Sequence, residues 1–85
     1  MNDIVPGIQV WWKEHVDDPS IPLHERTAGT VLSPGVMAFA GYAQNESGRD
    51  VPVISTEAPD EGMVVVQWMG GDRTWEYEEE LVKVT

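Results

Sequence analysis

The sequence predicts one small, mostly-β domain. Three observations carry this. Val64, Val66 and Trp68 alternate with other residues along Met63-Val64-Val65-Val66-Gln67-Trp68-Met69, a run rich in β-branched residues. Gly70-Gly71-Asp72 then turns that run straight into Arg73-Thr74-Trp75-Glu76-Tyr77, the pattern of a hairpin with glycines available for positive φ. Near the start, Ile8, Val10 and Trp12 fall on one face of an extended segment, with Gln9, Trp11 and Lys13 on the other.

The elements follow in order. Pro6-Gly7 is a turn, and Ile8 to Glu14 is the first strand. His15 to Arg26 is polar and broken by Pro19 and Pro22, so it predicts a long, exposed loop with no regular pairing. Thr27 to Leu32 is a short second strand in which Gly29 marks a bulge or sharp bend. Val36 to Gln44 fits a short helix or a strand, because a short apolar run does not settle its own period. Asn45 to Asp50 is a polar turn. Val51 to Thr56 suits an edge strand, since Pro52 lacks a ladder donor. Glu57 to Gly62 is a further turn before the hairpin. Glu78-Glu79-Glu80-Leu81 suggests one 3₁₀ or α turn, and Val82-Lys83-Val84 a last short strand. No repeat, low-complexity tract or linker divides the chain, so residues 1–85 are read as one domain.

Composition bounds the function. At 85 residues the chain holds one modest core and buries only about 60–65% of its unfolded surface. The apolar fraction of 41% is that of a folded domain. There is no cysteine, which excludes disulfides, thiolate metal sites and a Cys nucleophile, and favours the cytoplasm. Met1 to Gly7 has neither the basic nor the apolar region of a signal peptide, and apolar runs such as Met63 to Val66 are far too short to span a bilayer. Fifteen acidic residues against five basic ones give a net charge of −10. Such a surface repels phosphate backbones and anionic lipid, so neither direct nucleic-acid binding nor membrane association is expected. It suits a protein partner with a basic surface; the competing reading is that the charge serves solubility alone.

The run Val64-Val65-Val66-Gln67-Trp68-Met69-Gly70-Gly71-Asp72 resembles the V-x-V-x-W-x-x-G hairpin of SH3-like barrels, including Tudor-like modules, and Glu80-Leu81 resembles their terminal helical turn. The resemblance covers residues 62–84 and, more thinly, 7–32; residues 33–61 are an insertion. It implies a five-stranded SH3-like barrel with a long loop after strand 1 and an insertion between strands 2 and 3. Such barrels mostly bind peptides, modified side chains, nucleic acid or partner subunits. They specify fold better than function.

Trp68 and Trp12 continue apolar faces and are expected in the core. Trp11, Trp75 and Tyr77, with Glu76 or Asp72, would supply an aromatic cage for a cationic side chain; ordinary core packing is the competing reading. If the glutamates of 74–78 face water, Trp75 and Tyr77 pack inward. Asp17, Asp18 and Glu25 in the loop, and Asp72 at the hairpin, are the carboxylates expected to face a basic partner. His15 with Asp17 and Asp18, and His24 with Glu25, are metal-capable, but their spacing fits no zinc or calcium motif. No phosphate loop, nucleophile elbow or paired-carboxylate motif appears, so no cofactor and no catalysis are expected. The expected function is a non-catalytic interaction module that binds a basic or cationic partner segment. The alternatives are a small acidic inhibitor or nucleic-acid mimic of the kind phages use, and a structural accessory subunit whose insertion, with Met37, Phe39, Tyr42 and Ile54, forms an interface.

Overall fold

The computed structural model describes residues 4–22 and 26–84. The β-branched and aromatic runs become seven strands. These are β1 (Gln9–Trp12), β2 (Ala28–Leu32), β3 (Ala38–Gln44), β4 (Asp50–Ser55), β5 (Met63–Trp68), β6 (Arg73–Tyr77) and β7 (Leu81–Lys83). A five-residue helix, α1 (Lys13–Asp17), follows β1, and a 3₁₀ turn, Glu78–Glu80, joins β6 to β7. The strands form one open mixed sheet in the order β4-β3-β6-β5-β2-β1-β7. All neighbours are antiparallel except β3 and β6, which touch through the single parallel pair Phe39–Thr74.

The sheet has seven strands where five were expected. The difference lies in the insertion. Of residues 36–44, ambiguous as sequence, Ala38–Gln44 extend as β3 because β4 offers a partner, and the resulting hairpin docks beside β6. Pro52 sits on β4, an edge of the sheet, where a missing donor costs least. The 15–26 loop also differs from expectation, because its first residues belong to α1. Asp18, at its C-terminal boundary, accepts hydrogen bonds from the Ser20 N–H and hydroxyl, and a turn precedes Pro22. The His15 imidazole Nδ1 accepts the Thr27 N–H at 3.3 Å, tying α1 to the start of β2.

β5 is buried from both sides. On one face Val66 packs with Ile4, Val10, Val31 and Leu81, flanked by Ile8, Trp12, Val64 and Trp68. On the other, Val65 packs with Ala38 and Trp75, flanked by Leu32, Val36, Ala40 and Met63. The expected Val64, Val66 and Trp68 face is thus a core face, and the insertion supplies part of the second. Gly29 has a specific reason. It pairs with Val10 on one side and Trp68 on the other. A Cβ there would lie 2.9 Å from Trp68 Cε3 and closer still to Val66 Cγ1, so only glycine lets these side chains cross the strand. At the β5–β6 turn Gly71 adopts φ +94°, and the Trp68 N–H donates to the Asp72 carbonyl at 2.8 Å. Among the described residues no helix is long and apolar enough to cross a membrane.

Candidate functional site

Strand register builds the site. Trp12, the last residue of β1, pairs with Leu81, the first of β7. Antiparallel pairing therefore sets the chain that leaves β1 beside the chain that enters β7. The first becomes α1 and the second is the 3₁₀ turn of glutamates. Between them lies a groove of about 350 Å³ lined by Trp12, Lys13, Glu14, Asp17, Glu79 and Glu80. Four carboxylates face one ammonium there. The Trp12 indole is fixed by stacking on Trp68, with ring centroids 4.7 Å apart and planes 14° from parallel.

A second groove, about 280 Å³, is lined by Glu61, Gly62, Tyr77, Glu78 and Glu79. Glu79 borders both. The Tyr77 hydroxyl donates to Asp60 Oδ2 at 2.7 Å. That bond holds the Asp60 carboxyl below its ordinary range, helped by the Glu61 N–H, and raises the Tyr77 phenol. Sharing Glu79, the two grooves make one acidic strip, with Trp12 lining one part and Tyr77 the other, suited to lysine or arginine side chains.

The residues expected from sequence are not all brought here. Asp17 lines the first groove and Tyr77 the second. Trp75 is only 5% exposed, packed on Val65 and Ala38, with its indole N–H donating to the Ser55 carbonyl at 3.0 Å. It is closed to a ligand, and the three-residue aromatic cage is not assembled. Trp11 already carries a cation, since the Arg26 guanidinium carbon sits 4.9 Å from its ring centroid. Asp18 is occupied with the Ser20 turn, and those bonds hold its carboxyl below the ordinary range. Asp72 is exposed at the tip of the β5–β6 hairpin, outside the residues lining both grooves. Glu25 and His24 lie outside the described residues.

Glu76 does not face open water. It shares a face with Val64 and Val66, is half-buried, and accepts the Thr74 hydroxyl at 2.7 Å; Thr74 in turn accepts the Trp68 indole N–H at 2.8 Å. Burial pushes its carboxyl above the ordinary range against the pull of the Thr74 bond, and the nearby Glu80 charge adds to the rise. The residues that sequence reasoning missed are Trp12 as a groove wall and Glu14, Glu79 and Glu80 beside it. The signal for Glu79 and Glu80 was the glutamate run at 78–80, which reads equally as a solvated turn; Trp12 and Glu14 had none.

No protein-family model, curated protein or solved structure matches the chain. Among the described residues no group of three or more metal-capable side chains is placed to hold an ion.

Proposed function

We propose that this chain is a non-catalytic, cytoplasmic interaction module that binds a basic segment of a protein partner along the acidic strip. The observation that carries the reading is the pair of adjoining grooves sharing Glu79, one walled by Trp12 and one by Tyr77. Glu14, Asp17, Glu61, Glu78, Glu79 and Glu80 line them against the single cation Lys13. Aromatic faces attract ammonium and guanidinium groups, and carboxylates fix their orientation. Two adjoining grooves suit a segment with successive lysine or arginine side chains. The strands β6-β5-β2-β1-β7 are further read as an SH3-like unit. That reading is supported by their consecutive antiparallel pairing, the long connection after β1 and the 3₁₀ turn before β7. The β3–β4 hairpin is then the insertion.

Titration of the full chain with an acetylated, amidated lysine- and arginine-rich peptide, followed by tryptophan fluorescence, tests this. Exposed ion pairs contribute roughly 0.2–1 kcal/mol each, so Glu79→Gln with Glu80→Gln should weaken binding about two- to thirtyfold. Affinity unchanged by the double substitution would overturn the assignment to this strip.

A further inference from the structure

The β3–β4 hairpin is only half used by the fold. At its base Ala38 is buried in the second core, Phe39 pairs with Thr74, and the Ser55 carbonyl accepts the Trp75 indole N–H. Beyond that, every residue from Tyr42 to Pro52 is exposed. The molecule is correspondingly elongated. Its extents are 44 × 27 × 23 Å and its radius of gyration is 14.0 Å, against about 12 Å for a compact chain of this length.

The hairpin also carries an apolar face. Phe39 pairs with Ile54 and Tyr42 with Pro52, and between those pairs Ala40 and Gly41 oppose Val53 alone. Two residues against one is a β-bulge, and Gly41 supplies its φ of +106°. Without the bulge, Phe39 and Tyr42, three apart, would point to opposite faces. With it, Phe39, Tyr42, Pro52 and Ile54 share one face, and the Phe39 and Tyr42 rings meet edge to face at 5.1 Å. Tyr42 is 70% exposed and Ile54 51%. An exposed aromatic–aliphatic cluster on a projecting arm is the form of an interface anchor.

Charge selects the occupant. Asp50 pairs with Gln44 two residues beyond the Tyr42–Pro52 pair and so lies on the same face, Glu46 lies in the turn that joins the strands, and the chain carries −10. A second copy would bring another −10 against it. Anionic lipid is repelled for the same electrostatic reason. We infer that this face is a second docking surface, independent of the acidic strip, for a protein partner that presents an apolar stripe bordered by lysine or arginine.

The probe is an amphipathic helical peptide with leucine on one face and lysine on the other, added to the isotopically labelled full chain. A leucine–glutamate peptide of the same pattern is the control. Amide shifts should concentrate on residues 39–43 and 51–55 for the lysine peptide and be absent for the glutamate one. Tyr42→Ser with Ile54→Ser, both at exposed positions, should reduce the affinity at this face at least about tenfold. Tyr42→Ser alone serves if the double variant loses its fold. Glu79→Gln with Glu80→Gln should leave the hairpin shifts in place, which separates this surface from the strip. Equal binding of the two peptides, shifts confined to the strip, or sedimentation as a dimer that Tyr42→Ser disperses would each overturn the proposal.

Discussion

The indole of Trp12 lies stacked on the indole of Trp68, 4.7 Å between centroids, and thereby joins the core to the acidic groove. One ring belongs to both. Its partner Trp68 is locked from the other side by the Thr74 hydroxyl and passes over Gly29. Gly29→Ala should therefore disturb the groove without touching it. The added methyl collides with Trp68 and Val66, and overpacking of this kind costs about 1–3 kcal/mol. Urea denaturation checks the cost. Wild-type stability would mean that the two indoles and Val66 have room to move.

Val66 is fully buried at the centre of the first core. Val66→Asp places an unpaired charge there and should destabilise by about 3 kcal/mol or more. Thermal unfolding reads this directly. A melting temperature close to wild type would contradict the register of β5.

Arg26 over Trp11 is an internal cation–aromatic pair on the face away from Val10. Trp11→Ala should destabilise, with roughly 0.5–1 kcal/mol from the cation contact and more from lost apolar area. Arg26→Gln isolates the smaller part. If Arg26→Gln leaves the urea midpoint unchanged, the guanidinium does not hold the ring.

Glu76 sets a pH dependence of definite sign. Its carboxyl is raised in the folded protein by burial, so between its ordinary and its folded value the folded state holds more proton than the unfolded one. Its contribution to stability is present at low pH and is lost as pH rises through that window. Glu76→Gln should be more stable than wild type at neutral pH, with the gap closing toward pH 4. Melting temperatures of both proteins across that range test it. A gap that widens on acidification would show that the carboxylate is stabilised where it sits.

Much of the fold was legible because its signals are local. Alternation marked β5 and β6, paired glycines marked their turn, and Pro52 marked an edge strand. β3 was not legible, since its small apolar residues carry no period across the Gly41 bulge. The burial of Trp75 depends on Ala38 and Ser55, brought over it by a hairpin far away in sequence. The acidic groove is less legible still. It exists because Trp12 pairs with Leu81 at opposite ends of the chain, and no local pattern states that register.

A basic segment seated against Trp12 is read most directly by the four indole N–H resonances. With a lysine- and arginine-rich peptide added to the labelled protein, the Trp12 resonance should shift progressively and saturate. The Trp75 resonance, whose N–H is held by the Ser55 carbonyl, should stay in place. Raising the salt from 0.1 M to 1 M, which shortens the screening length from about 10 to about 3 Å, should weaken the Trp12 response. A Trp12 resonance that does not move at saturating peptide, while others do, would show that the basic segment seats elsewhere.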